Sequence, residues 1–169
     1  MGTPPDAKPG LGFRIGAAAW ADRFAVDGGT LGITVDAGVR YGWFSAALEV
    51  HVDPPLGPVE GPGVSLNGVR VTGALLPCLH YGYLAACGKA EAGRILFPGY
   101  PARGAARAYD AVGLRLNLEL PTGAPWLFVR LGGEVLFAID PASVVQGGKT
   151  RYQTVGTGGG LGLGFLYAR

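Results

Sequence analysis

The feature that most constrains the fold of this chain is a two-residue alternation of aliphatic and polar side chains. Between residues 112 and 120, Val or Leu occupies every even position, and Gly113, Arg115, Asn117 and Glu119 occupy the odd ones. Residues 31–41 repeat the pattern. Successive side chains of a β-strand point to opposite sides, so a period of two indicates strands with one aliphatic and one polar face. The chain is therefore expected to be all-β.

Eight segments have this periodicity and are bounded by Gly, Pro and Asp. They span residues 10–19, 31–41, 43–52, 66–77, 84–93, 107–120, 126–139 and 153–168. The connections after the odd-numbered segments are long, and those after the even-numbered segments are short. This regularity is typical of outer-membrane barrels, whose long loops face outside and whose tight turns face the periplasm. The sequence predicts a closed, eight-stranded, antiparallel up-and-down transmembrane β-barrel over residues 10–169, preceded by a flexible leader at residues 1–9.

The composition agrees with apolar residues that are spread along strands. The chain is 49% hydrophobic and only 15% charged, which is few charges for a soluble domain. No stretch approaches the roughly 18 consecutive apolar residues of a membrane helix. The net charge of +2, without a Lys/Arg cluster, argues against a nucleic-acid partner. Residues 1–10 lack the apolar core of a signal peptide, so an export signal is expected either upstream of this sequence or not at all.

The charged residues indicate which face lines the interior. With each segment's parity fixed by its aliphatic residues, one charged residue, Asp110, falls on the aliphatic face. The others fall on the polar face: Arg14, Asp36, Arg40, Glu49, Arg70, Lys89, Glu91, Arg107, Arg115, Glu119, Arg130 and Glu134. Eight strands leave an interior just wide enough for side chains, so this balanced set suits a lumen filled by ion pairs. A soluble, lipocalin-like barrel with its aliphatic face inside would show the same alternation and is the alternative.

The glycines near the C-terminus, in TVGTGGGLGLGFLYAR, fit the same interpretation. Five of them occupy alternate positions from Gly156 to Gly164 and fall on the polar face. Neither the dinucleotide-binding nor the P-loop glycine motif occurs in this stretch. We therefore expect a lumen-lining strand, and no cofactor.

Aromatic residues lie at the ends of the segments nearest the short turns. Such residues form girdles where membrane barrels cross the lipid–water interface. Those assigned to the girdle are Tyr41, Phe44, Phe165 and Tyr167, with Phe13, Trp43 and Trp126 beside them and Phe137 at the other rim.

The two cysteines fall on opposite sides of a predicted tight turn. If Gly82 and Tyr83 form a two-residue type II′ turn, Cys78 lies directly opposite Cys87. A non-hydrogen-bonded pair at this position brings the α-carbons close enough for a disulfide, which requires an oxidising compartment. A zinc site that uses both cysteines and His80, or two free thiols, are the alternatives.

These features resemble the eight-stranded outer-membrane barrels of the OmpA/OmpX type. More specifically, Pro77-Cys78-Leu79 followed by Cys87, and the closing stretch from Gly160 to Gly164, are similar to barrel domains of myxobacterial envelope proteins. The resemblance implies a monomeric anchor in the bacterial outer membrane, with membrane lipid and the barrel-assembly machinery as partners. It supplies no catalytic residues and no ligand for the loops.

The same architecture is compatible with other functions. Some eight-stranded barrels modify lipids with a His, a Ser and an acid, for which His51, Ser65 and Glu49 are the candidates here. Ser65 falls on the aliphatic face, whereas His51 and Glu49 fall on the polar face, which argues against a contact between them. A small channel is disfavoured because ion pairs would fill the lumen. The expected function is a structural barrel without catalytic activity, with loops that are available for binding.

Overall fold

The computed structural model describes residues 10–23, 30–54, 59–61, 64–66, 69–96, 106–139, 143–146, 149–153 and 156–169. The expected leader at residues 1–9 lies outside these ranges. Within them, no helix has the length and apolar character that a membrane span requires.

The described residues contain twelve β-strands, of which eight form one closed antiparallel barrel. The strands are β1 Leu11–Asp22, β2 Thr30–Tyr41, β3 Phe44–Asp53, β4 Val59–Gly61, β5 Val64–Leu66, β6 Val69–Tyr81, β7 Leu84–Leu96, β8 Ala106–Pro121, β9 Leu127–Ala138, β10 Ser143–Gln146, β11 Lys149–Gln153 and β12 Thr157–Ala168. Around the barrel the order is β1, β12, β9, β8, β7, β6, β3 and β2, and β1 pairs with both β2 and β12. The predicted closed, eight-stranded up-and-down barrel is confirmed.

The remaining four strands form two hairpins within long connections, and these hairpins were not predicted. Leu66, which the sequence assigned to a barrel strand, pairs with Val59 between β5 and β4. Gln153, also assigned to a barrel strand, pairs with Ser143 between β11 and β10. Both segment boundaries were therefore wrong. Alternation continues through the hairpins, and a period of two does not show which strand a residue pairs with.

Two of the short connections are two-residue turns that begin with glycine. Gly42 and Gly82 each have a φ of 59°, in the left-handed region that glycine adopts without strain. The flanking residues Tyr41 and Phe44 pair across the first turn. We call this end of the barrel the turn side and the opposite end the loop side.

The aliphatic face of the strands is the outside of the barrel. Leu114, Leu116 and Leu161 are 68%, 64% and 74% exposed, respectively, whereas Arg70 and Arg115 are each 1% exposed. A barrel in water would place these leucines inside, so the lipocalin-like alternative is wrong. The exterior is apolar and the interior is polar, as in a barrel that spans a membrane.

Candidate functional site in the barrel lumen

The lumen has room for large side chains because glycines lie opposite them. Trp20 on β1 is buried, and its indole Nε1 donates to Thr34 Oγ1 at 3.1 Å. A Cβ at Gly162 of β12 would lie 2.5 Å from Trp20 Cε2. Gly162 therefore supplies space that the indole fills, and the stretch is a strand rather than a phosphate-binding loop.

A middle cluster of charges crosses the centre of the lumen. Strand register places Arg115 of β8 opposite Glu134 of β9, and Arg115 also reaches Glu49 on β3, with Nη2 2.8 Å from Glu49 Oε1. Arg115 Nε donates to Glu134 Oε2 at 2.8 Å. Lys89 Nζ lies 2.7 Å from Glu91 Oε2 and 3.2 Å from Glu49 Oε1. These contacts connect the walls of the barrel across its interior.

The indole of Trp20 adds an aromatic contact to the middle cluster. The Arg115 guanidinium carbon lies 4.3 Å from the centre of the Trp20 ring, within the range of a cation–π interaction. Arg115 is thus held by two carboxylates and one aromatic face.

A second group of charges, the loop-side cluster, contains Asp22, His51, Asp53 and Arg70. Arg70 Nη2 lies 3.1 Å from Asp22 Oδ2, and Arg70 Nε donates to Asp53 Oδ2. His51 Nε2 lies 2.7 Å from Asp53 Oδ1 and 3.7 Å from Asp22 Oδ2. Arg70 Nη1 is 3.6 Å from Glu91 Oε1, which links this cluster to the middle one.

A third group lies near the turn side. Arg14 pairs with Glu119, and Arg130 pairs with Asp36. Arg14 Nη1 also lies 2.8 Å from His80 Nε2. This end of the lumen therefore contains separate pairs rather than one shared cluster.

Arg40 is placed differently from the other charged residues assigned to the lumen. It is half-buried at the end of β2, and its Nε donates to the Gly42 carbonyl at 2.9 Å. It therefore braces the first tight turn. The side chain of Arg107 lies outside the described residues.

The two cysteines form a disulfide between β6 and β7. Cys78 and Cys87 are opposite each other in the register, with their α-carbons 4.0 Å apart. The bond lies inside the barrel, next to buried Ala74, Leu76 and Ala85. Since both sulfurs are bonded to each other, the zinc site that was considered for Cys78, Cys87 and His80 has no thiolate.

Asp22 and Asp53 were not predicted to line the lumen, because their residue types are typical of loops. Both continue the inward parity of their strands, Asp22 after Trp20 on β1 and Asp53 after His51 on β3. The two-residue alternation of each segment, continued to its end, therefore predicts that Asp22 and Asp53 face the lumen.

The aromatic residues that were predicted to face outward lie on the exterior of the barrel. Tyr41, Phe44 and Phe165 are exposed on the exterior, and Tyr167 lies beside Trp126 with ring centres 5.9 Å apart. Two further exposed tyrosines at the tight turn of the β6–β7 hairpin, Tyr81 and Tyr83, were missed.

The residues considered for lipid-modifying catalysis do not form a described triad. Glu49 and His51 both project into the lumen from β3. His51 Nε2 faces the carboxylates of Asp53 and Asp22. Ser65 lies in β5, and its side chain is outside the described residues.

Comparisons with known proteins identify the fold. No protein-family model matches the sequence, and no curated protein matches it significantly. A major outer membrane protein of Thermus thermophilus matches the structure with a TM-score of 0.59 at 13% identity, covering 94% of this chain and 99% of that one. Neisserial surface protein A matches with a TM-score of 0.56 at 11% identity, covering 93% and 96%.

The attachment invasion locus protein Ail of Yersinia pestis is a further match. Its TM-score is 0.51 at 14% identity, covering 94% of this chain and 97% of Ail. At these identities the likeness concerns the fold alone. The chain therefore has the fold of bacterial outer-membrane β-barrel proteins.

Proposed function

We propose that this protein is a structural, non-catalytic barrel of the bacterial outer membrane, which anchors its loops at the cell surface. The observation that carries the proposal is the combination of an apolar exterior with a lumen crossed by ion pairs. Arg115 joins Glu49 on β3 to Glu134 on β9, and Lys89 on β7 contacts the same two carboxylates. Buried charges of this kind persist only when they are paired.

The filled lumen supports an anchor rather than a pore. Next to the turn-side pairs, a cavity lined by residues that include Arg14, Asp36 and Asn117 measures only about 20 Å³. That volume holds about one water molecule. An ion that crossed this level would have to displace charged side chains from their partners.

Conductance in a planar lipid bilayer tests the closed lumen. The refolded wild-type barrel is expected to insert without producing a steady current. The sample is checked for folding by its faster gel migration before boiling than after. A reproducible single-channel current from folded protein would contradict the proposal, and acyl release from added lipid would identify an enzyme instead.

The proposed environment assigns roles to the exterior. The outward aromatics Tyr41, Phe44, Phe165 and Tyr167 would form the turn-side girdle at the lipid–water interface. We further propose a monomer that is inserted by the barrel-assembly machinery. The disulfide-closed hairpin, with Pro77-Cys78-Leu79 and Cys87, supports a relation to the myxobacterial envelope barrels.

The loops are the proposed binding region, because function in scaffolds of this kind is carried by connecting segments. Ail, which shares the fold, has a solved structure in complex with the heparin analogue sucrose octasulfate. For the present chain, transfer of its long loops onto another eight-stranded barrel would test whether they bind a surface ligand. Retention of such binding by a loopless barrel would contradict the proposal.

A further inference from the structure

The loop-side cluster brings together a set of metal-ligating atoms that the anchoring role does not use. Asp22, His51 and Asp53 each offer one ligand atom, and these atoms lie within 4.8 Å of one another. His51 Nε2 is 2.7 Å from Asp53 Oδ1 and 3.7 Å from Asp22 Oδ2. Bonds of about 2.0–2.1 Å in a tetrahedral zinc site place neighbouring ligands about 3.3 Å apart. The observed separations lie on either side of that value.

Two of the three candidate ligands, His51 and Asp53, have buried atoms without a hydrogen bond of acceptable geometry among the described residues. His51 and Asp53 are each 1% exposed. Neither ring nitrogen of His51, nor Asp53 Oδ1, forms a hydrogen bond of acceptable geometry with any described residue. Buried polar groups in proteins are nearly always satisfied. A metal ion bound by Nε2 and Oδ1 would use a lone pair of each atom.

The backbone leaves space for the cluster. Gly32 on β2 faces these side chains, and a Cβ there would lie 1.8 Å from Asp53 Oδ1 and 2.5 Å from His51 Nε2. Any other residue at this position would push the two ligand atoms away. Glycine at position 32 therefore allows His51 and Asp53 to lie close together.

Among the described side chains around the cluster, carboxylates outnumber cations. Ion pairs connect the loop-side and middle clusters into one network of described side chains. It contains five carboxylates, Asp22, Glu49, Asp53, Glu91 and Glu134, and three cations, Arg70, Lys89 and Arg115. Within this described network the carboxylates exceed the cations by two, and buried charge without a partner is costly. One divalent cation would neutralise it while His51 stays neutral, which is the form that binds metal.

Neighbouring groups hold the candidate ligands in place. Thr30 Oγ1 donates to Asp22 Oδ1 at 2.9 Å. Arg70 pairs with the Oδ2 atoms of both Asp22 and Asp53, which leaves Asp53 Oδ1 directed toward His51. Ligating carboxylates in metalloproteins are oriented by outer hydrogen bonds of this kind. Asp22 and Thr30 also line a cleft of about 530 Å³ at the loop-side rim.

We propose that Asp22, His51 and Asp53 form a binding site for Zn²⁺ at the loop side of the lumen. One imidazole with two carboxylates suits a transition metal, whereas Ca²⁺ and Mg²⁺ prefer oxygen ligands alone. The site is independent of the anchoring role, because a barrel without metal would still present an apolar exterior.

The test uses the untagged, full-length barrel, refolded in detergent and freed of metal with a chelator. After Zn²⁺ is added and the excess removed, elemental analysis should give one zinc per chain. Asp22, His51 and Asp53 supply the ligands, so His51→Ala is expected to weaken zinc binding at least tenfold in calorimetric titration. His80, the other of the two histidines, is the matched control, and His80→Ala should bind as wild type does. Absence of retained zinc, or equal binding by both variants, would overturn the proposal.

A second measurement avoids variants that fail to fold. In the wild-type barrel the imidazole NMR signals of the two histidines can be followed during addition of Zn²⁺. The His51 signals are expected to shift until one equivalent has been added, while those of His80 stay in place. Unchanged His51 signals, or shifts of His80 alone, would refute the site.

Discussion

Arg115 shows, at the scale of a single residue, how a charge is kept away from both water and lipid. Its guanidinium nitrogens contact Glu49 and Glu134, and one face of the group lies over the Trp20 ring. The aliphatic residues that precede and follow it on β8 point outward. One strand thus serves two environments through the direction of alternate side chains.

Removal of the Arg115 charge should destabilise the barrel. Arg115→Leu leaves Glu49 and Glu134 buried with one cation fewer, and breaking a buried ion pair in this way costs about 3–5 kcal/mol. Urea unfolding of the barrel in lipid vesicles measures the free energy of unfolding. Arg94→Leu is the control, because Arg94 is exposed on β7, and it should lose no stability. Equal stability of both variants would contradict an ion-paired lumen.

Leu116 provides the complementary test of the exterior. Phe165 and Leu120 both pair with Val129, and Phe137 pairs with Val112. Leu116 lies four residues from both Val112 and Leu120 on β8. It is therefore near the middle of the apolar band between the two rings of aromatic residues. Leu116→Arg should lower the free energy of unfolding in lipid by about 2–4 kcal/mol, the cost of Arg at the bilayer midplane of a barrel.

The control for this prediction is Leu116→Gln. Its side chain is polar but uncharged, so it should lower the free energy of unfolding by less than Leu116→Arg does. If Leu116→Arg unfolds at the same urea concentration as wild type, this face does not contact lipid.

At the scale of the element, β12 depends on its small residues. Gly162→Val would place side-chain atoms against Trp20, whose Cε2 lies 2.5 Å from an added Cβ. Overpacking of this kind costs about 1–3 kcal/mol. A lower midpoint of unfolding is expected for this variant, whereas Gly156→Val, where a Cβ meets open space, should be neutral. A neutral Gly162→Val would show that the indole does not lie against this strand.

The β6–β7 hairpin is closed by its disulfide near a proline that cannot donate to the ladder. Pro77 precedes Cys78, and a chain crosslink over nine residues contributes about 2–3 kcal/mol by restricting the unfolded state. The double variant Cys78→Ala/Cys87→Ala should be less stable by about that amount in denaturant titration. Wild type treated with reductant after unfolding should match it. Identical midpoints with and without reductant would argue against the crosslink.

The sequence determines which side of a strand each side chain faces, but it determines less well which strand pairs with which. The inward position of Arg115 and the opposition of Cys78 and Cys87 follow from a period of two and one turn, which are local properties. The hairpins that contain Leu66 and Gln153 were missed, because pairing depends on partners that are distant in sequence. The loop-side cluster was missed for a different reason, since Asp22 and Asp53 were read as turn residues by their type.

At the scale of the whole molecule, the barrel reverses the usual placement of residue types. Its charged clusters lie along the axis, and its aliphatic residues face outward over the full circumference. Such a surface cannot be stable in water, because so large an exposed apolar area would associate. The lipid bilayer therefore provides the solvent for which this sequence is patterned.

The most direct test of this reversal is NMR of the barrel in lipid nanodiscs with its leucine methyl groups labelled. Leu114, Leu116 and Leu161 face outward, whereas Leu136 and Leu166 are buried inside and serve as matched controls. We predict nuclear Overhauser contacts between lipid acyl protons and the methyl groups of the three outward leucines, and none for the two inner ones. Acyl contacts to Leu136 and Leu166, with none to Leu114 and Leu116, would contradict the orientation on which the account depends.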